Sequence, residues 1–295
     1  METAAVQRSM SESDRFLASP ARYCDVGSAE IAYRTFGGGP PLLLLHGWPL
    51  AGFTYRKLIP RLAERYTCYA IDLPGAGATR WREDNDFSFS GQAANVGRLI
   101  DALGIRGTHV VAHDTGATIA RALALSAGDG LGKLVLIGTE IPAHRPPWIP
   151  LFQTLTALPG AHLGFRLMMG STAFLRSPMG FGNCFVDRRL ISGEFEEHFV
   201  RPLRESSRAL EGQLRYLKGI DWALVDRLAE DHRRITNPTL LIWGEKDSIF
   251  PPARARVIAE QLGDCHGFHL VSNAKLLVHE EQPHAVAELI LPFLA

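Results

Sequence analysis

Val110-Val111-Ala112-His113-Asp114-Thr115-Gly116-Ala117 joins an apolar run to a tight turn and then to a helix-forming stretch that begins at Gly116. This is the layout of a nucleophile elbow, where a strand ends abruptly beneath one side chain and a helix begins. The residue at the tip, Asp114, is a carboxylate rather than a serine or cysteine. With a reference pKa of about 3.9 it is ionised at neutral pH and attacks without a base. That chemistry suits displacement at an sp3 carbon, as in opening an epoxide or expelling a halide.

On either side of the elbow, apolar strands alternate with helical patterns. Arg22–Val26 and Ile31–Phe36 read as a hairpin turning near Gly27–Ser28, and Pro41–Leu45 as a fully apolar strand ending in His46-Gly47-Trp48-Pro49. A helix is expected near Tyr55–Glu64, then a strand over Cys68–Ile71. Helix Gln92–Leu103, strand Thr108–Ala112, helix Gly116–Ser126 and strand Lys133–Ile137 follow. The pattern then breaks into a stretch with large apolar residues and many Pro and Gly but no clear strand. It resumes with strand Thr239–Trp243, a helix near Ala253–Gln261, strand Gly267–Val271 and a helix near His284–Phe293. Buried parallel strands covered by helices make this an α/β fold. The boundaries read as a mobile N-terminal tail over 1–20, a core built from 21–141 and 236–295, and a helical cap over 142–235.

The 295 residues carry 31 Lys plus Arg against 31 Asp plus Glu, so no net field points to nucleic acid or an acidic membrane. The N-terminus has no apolar signal segment, and no run of about 18 apolar residues occurs. A cytoplasmic protein is expected. Cys24, Cys68, Cys184 and Cys265 are widely spaced and read as free thiols. No metal-ligand spacing appears. Gly37-Gly38-Gly39 precedes a strand instead of opening a helix, so it is not a phosphate loop. No cofactor is expected.

Four landmarks in this order and spacing, His46-Gly47-Trp48-Pro49, Asp72-Leu73-Pro74-Gly75-Ala76-Gly77, His113-Asp114-Thr115-Gly116 and Trp243-Gly244-Glu245-Lys246-Asp247, resemble the α/β-hydrolase fold. The resemblance is to its aspartate-nucleophile branch, the epoxide hydrolases and haloalkane dehalogenases. It implies a mostly parallel central sheet flanked by helices, with an inserted helical lid. It also implies Asp114 as nucleophile, the backbone N–H groups of Trp48 and Thr115 as oxyanion hole, and Asp247 as the acid that orients a histidine. Glu140 is an alternative acid. His46 is expected to be structural and His113 to stand beside the nucleophile.

The chain departs from the pattern at the third member. The family places its histidine in a segment like Asn-Ala-Gly-His, and here the segment is Asn273-Ala274-Lys275-Leu276, with His279 three residues further on. Attack by an aspartate needs no histidine, but cleavage of the resulting ester does, because a base must activate water. Three readings stay open: His279 is the base in a rearranged loop, the protein has no triad base, or Lys275 serves.

The substrate expected is a hydrophobic, uncharged small molecule, contacting Trp48, Tyr216 and Leu276. Tyr216, with His144, His162 or His198 as companions, is the lid candidate for protonating an epoxide oxygen. Thr115 stands where dehalogenases often carry a halide-binding tryptophan. Arg121, a turn into the helix, is expected to face elsewhere, which speaks against a carboxylate-bearing halide. Epoxide hydrolysis leads, with haloalkane dehalogenation and a non-hydrolytic binder or lyase-like catalyst as alternatives. No nucleic acid or membrane partner is expected, and homodimerisation is left open.

Overall fold

The computed structural model describes residues 10–127 and 130–295, the Ala127 side chain excepted. Its centre is one twisted sheet: β1 Arg22–Asp25, β2 Ala29–Phe36, β3 Pro41–Leu45, β4 Thr67–Ile71, β5 Arg80–Trp81, β6 Thr108–His113, β7 Leu131–Ile137, β8 Thr239–Gly244 and β9 Cys265–Val271. The order is β1-β2-β4-β3-β6-β7-β8-β9, with β5 paired to β2. β2 pairs antiparallel with β1, β4 and β5, and every later pair along that order, from β4-β3 to β8-β9, is parallel. Leu42 to Leu45 and Leu134 to Ile137 are fully buried, as strands covered on both faces require. The short strand β5 carries no period-2 apolar pattern and was not anticipated.

The register sets the carboxyl ends of the parallel strands side by side. Leu45 of β3 faces Ala112 of β6, and His113 faces Ile137 of β7. The loops that leave these strands therefore meet above one edge of the sheet, where open α/β sheets bind ligands. Helices Phe89–Leu103 and Thr115–Ala127 pack on each other, while Pro283–Leu294 packs on β8, β9 and the short helix Ile59–Leu62. Between β7 and β8 the chain forms a helical insertion that includes Trp148–Leu155, Ala161–Gly170, Ser207–Lys218 and Trp222–His232. No helix among the described residues is long and apolar enough to cross a membrane.

Two expectations are corrected. The helix foreseen over Tyr55–Glu64 is a 3-10 turn, Gly52–Tyr55, followed by Ile59–Leu62. Pro60 lacks an N–H and fits only in a first helical turn, so it sets the helix start there. Of the tail foreseen over 1–20, residues 1–9 lie outside the described residues, but Glu12–Ala18 is a helix capped by the Ser11 side chain. Its Phe16 is buried, stacked on Phe36 and edge-on to Phe53, each with ring centroids 5.3 Å apart.

The same helix is tied to the insertion and to the C-terminal region through Arg56. This guanidinium, almost wholly buried, bonds Ser13 Oγ at 3.1 Å, Glu194 at 3.0 Å and Glu280 at 2.6 Å. Phe16→Ala is expected to destabilise the fold by about 3–5 kcal/mol, the range for a buried phenylalanine. Chemical denaturation checks this: an unchanged midpoint would mean the segment adds nothing to the core.

Candidate active site

Asp114 stands at the end of β6 with φ +53°, the left-handed region that a non-glycine residue rarely occupies. Its N–H donates to the carbonyls of Ile137 and Gly138, 3.1 and 3.0 Å away. Such strain at a loop tip is held by its surroundings, and here two glycines provide the room. A β-carbon at Gly116 would lie 2.4 Å from the His46 carbonyl oxygen, and one at Gly47 would lie 2.4 Å from the Asp114 side chain.

The Asp114 carboxylate rests against the backbone that follows β3. The Trp48 N–H donates to Oδ2 at 3.0 Å and lies 2.9 Å from Thr115 Oγ1. Burial, and then the nearby Glu140 carboxylate, push the Asp114 pKa well above the ordinary range. The N–H groups of Thr115 and Trp48 pull it down, and Asp247 adds to the upward push. The two amides expected to form an oxyanion hole thus converge on this carboxyl group.

Asp114, Trp48 and Thr115 line a cavity whose other walls come mostly from the insertion, including Trp148, Phe152, Phe165 and Met169. Glu140, Gln213 and Leu276 also line it. The wall is mostly apolar, which fits an uncharged ligand. Burial pushes the thiol of Cys184, another lining residue, far up, which leaves it without thiolate character.

Leu276 is buried on this wall, next to Asp247. A β-carbon at Gly138 would lie 3.3 Å from Leu276 Cδ1 and 3.7 Å from Asp247 Oδ2. Asp247 Oδ1 accepts the N–H groups of Ile249 and Phe250 at 2.8 and 3.0 Å, whereas Oδ2 is buried with no partner. Burial raises the Asp247 pKa to about 7. The carboxylate expected to orient a histidine has none bonded to it among the described residues.

His279 is not brought to this pair. It lies fully buried in the short helix Val278–Glu281, with Nε2 2.8 Å from Thr54 Oγ1 and its ring packed on Tyr55 and His113. Burial lowers its pKa to about 3, with Arg56 and Lys57 adding to the effect. Neither Asp114 nor Asp247 bonds it. The two residues Leu277 and Val278 take up the extra length by starting a helix, which turns the imidazole away from the cavity. Lys275 is half-buried and does not line the cavity.

The remaining candidates divide. His46 bridges the Gly47 carbonyl and the Leu73 N–H, a structural role. His113 Nε2 holds the Leu276 carbonyl at 3.1 Å. The Tyr216 hydroxyl is 2.9 Å from Thr115 Oγ1, but the residue itself is not on the cavity wall. The Trp48 indole lines the cavity, yet its N–H is spent on the Gln213 carbonyl at 3.0 Å. His144 bonds the Ile249 carbonyl, and His162 pairs with Glu211 near the surface. Arg121, expected to face elsewhere, is fully buried beneath the site and bonds Thr118, Thr139 and the Glu140 carbonyl. Sequence reasoning missed Gln213, a residue of the cavity wall whose side-chain Oε1 is buried without a partner. A polar residue on the apolar stripe Leu210, Leu214 and Leu217 was its available signal.

The match to protein-family models is to the alpha/beta hydrolase fold, over residues 40–283. The chain is 30% identical to haloalkane dehalogenase 2 of Mycobacterium tuberculosis over 290 residues, covering 92% of this chain and 93% of that protein. It is 24% identical to human epoxide hydrolase 4 over 279 residues, covering 87% and 73%. Among solved structures, the ligand-free epoxide hydrolase CorEH superimposes with a TM-score of 0.78 at 23% identity, covering 93% of this chain and 98% of that one. With the elbow, the parallel sheet and the inserted helices in place, the chain belongs to the alpha/beta hydrolase fold family, and a haloalkane dehalogenase and an epoxide hydrolase are among its relatives.

Proposed function

We propose that Asp114 attacks an sp3 carbon of a hydrophobic, uncharged small molecule and forms a covalent alkyl ester, with an epoxide as the favoured substrate. The observation that carries this reading is the Asp114 carboxylate at the floor of an apolar cavity, held by the Trp48 and Thr115 amides. Oδ1 or Oδ2 bonds to carbon, the C–O bond of the epoxide breaks, and the alkoxide takes a proton from water. An alkyl halide would react in the same way and release halide. The epoxide is favoured because the indole N–H of Trp48, a natural halide donor, is already bonded to Gln213.

Ester breakdown is the slower of the two steps, since Leu276 occupies the cavity wall beside Asp247 and no histidine faces the cavity among the described residues. This supports slow turnover over the rapid two-step hydrolysis of a complete triad. The non-hydrolytic alternative, a binder on the same fold, draws on the same leucine. Intact-protein mass spectrometry after incubation with 1,2-epoxyoctane or 1-bromooctane separates them. An adduct mapped to Asp114, absent from D114N, supports the ester; no adduct with either probe leaves the binder.

Two further outcomes are expected. Leu276→His places an imidazole between Asp114 and the unpartnered Asp247 Oδ2, so ester breakdown should accelerate by about 10²-fold or more; quenched-flow analysis of adduct decay checks it. The attacking form of Asp114 is the carboxylate, and its pKa is raised. The alkylation rate should therefore rise with pH over the range in which Asp114 loses its proton, a range displaced upward from that of an ordinary carboxylate, by about tenfold per unit on its acid side. In D247N, which removes a neighbouring negative charge, the same rise should come at lower pH. A flat profile from pH 5 to 9 would show that Asp114 is ionised throughout.

A further inference from the structure

Glu140 is a carboxylate that the ester-forming step does not use, although it shares the cavity with Asp114. It lies three residues past β7, on the segment whose Ile137 and Gly138 carbonyls fix the Asp114 backbone. It is 3% exposed. Its two oxygens have different surroundings. Oε2 meets the hydroxyls of Thr118 and Thr139, the latter at 2.9 Å, and faces the Arg121 guanidinium at 3.8 Å. Oε1 accepts no hydrogen bond from any described residue.

The direction of these bonds can be assigned, because a guanidinium only donates. Arg121 donates to Thr118 Oγ1 at 2.6 Å, so the Thr118 proton points onward to Glu140 Oε2. The single Thr139 proton is within reach of both Glu140 Oε2 and the Asp114 carbonyl, each 2.9 Å away. Oε2 is therefore fixed as an acceptor. A proton gained or lost by Glu140 sits on Oε1, with no protein partner to release. That is the arrangement a general base needs: one oxygen anchored by a buried cation through a hydroxyl, the other free.

We propose that Glu140, through Oε1, is the base that activates water to discharge the Asp114 ester in place of a histidine. The proposal rests on the alkyl-ester reading of Asp114. Water oxygen bonds to Asp114 Cγ as its proton passes to Glu140 Oε1, and the carbonyl electron pair moves onto oxygen. The Trp48 and Thr115 N–H groups take up that oxyanion. Collapse re-forms the carbonyl and breaks the bond to the substrate oxygen, which recovers the proton from Glu140. Asp114 is left as the acid and loses its proton to solvent, which restores the starting state.

The test compares the wild-type protein, E140Q and E140Q/L276H with 1,2-epoxyoctane, following adduct mass and diol release together. In the wild-type protein the adduct forms and decays with diol production over many turnovers. E140Q should form one equivalent of adduct on Asp114 at an undiminished rate, with decay slowed by about 10²-fold or more. E140Q/L276H should regain turnover, which a purely structural role for Glu140 would not allow. If E140Q does not fold, E140D decides: unchanged alkylation with slowed release supports the base, and wild-type release overturns it. A permanent adduct on the wild-type protein, or decay in E140Q at the wild-type rate, overturns the Glu140 role and leaves the ester reading standing. No adduct and no diol in any variant overturns both.

Discussion

At the end of β6 the chain turns through a left-handed conformation at Asp114 while its carboxyl group presses on Gly47 and accepts the Trp48 N–H. The turn brings the Thr115–Ala127 helix so close to β3 that a side chain at Gly116 would strike backbone. The loop after β7 must then pass close enough to take the Asp114 N–H. The parallel register of β3, β6 and β7 supplies this proximity, and the leucine-rich strand interiors stabilise it by burial. The geometry at one backbone position thus couples three strand ends.

The electrostatics of the cavity follow from what this constraint gathers. Asp114, Glu140 and Asp247 are all buried, and of the three only Glu140 is in contact with the buried Arg121 guanidinium among the described residues. Burying carboxylates without compensation is costly and drives protons onto them. The directions found for Asp114 and Asp247 are that response. In a site with a protonatable imidazole between the two aspartates, part of the charge would be balanced locally. Leu276 supplies no such balance and keeps the cavity wall apolar up to the edge of Asp114.

Much of this was legible in the sequence, for reasons that differ by residue. The elbow and the sheet announce themselves through short-range requirements: apolar strands, Gly at close approaches and Asp at the turn. That Leu276 stands where the resemblance expects a histidine is also read directly from the sequence. The path of the following residues is not, because whether Leu277 and Val278 extend a loop or start a helix depends on packing against Thr54 and Tyr55, which are distant in sequence. The partners of Arg121, which stays off the cavity wall, were hidden for a similar reason. Helical spacing gives the face a residue occupies, but not that a long side chain folds back to meet Thr139 and Glu140. The N-terminal helix escaped notice because seven mostly polar residues have little helix stability of their own, and burial of Phe16 supplies it.

Arg56 gathers partners from nearly the whole length of the chain: Ser13 before it, Glu194 in the insertion and Glu280 close to the C-terminus. A guanidinium buried without its carboxylates carries a large desolvation cost. During synthesis its partner at position 280 is made more than two hundred residues after Arg56 itself. Consolidation of this corner consequently waits for residue 280, and the N-terminal helix, the insertion and the helix carrying Glu280 are joined through one guanidinium. A chain cut short before residue 280 would leave this guanidinium with Glu194 as its one remaining carboxylate of the two, a built-in mark of incompleteness.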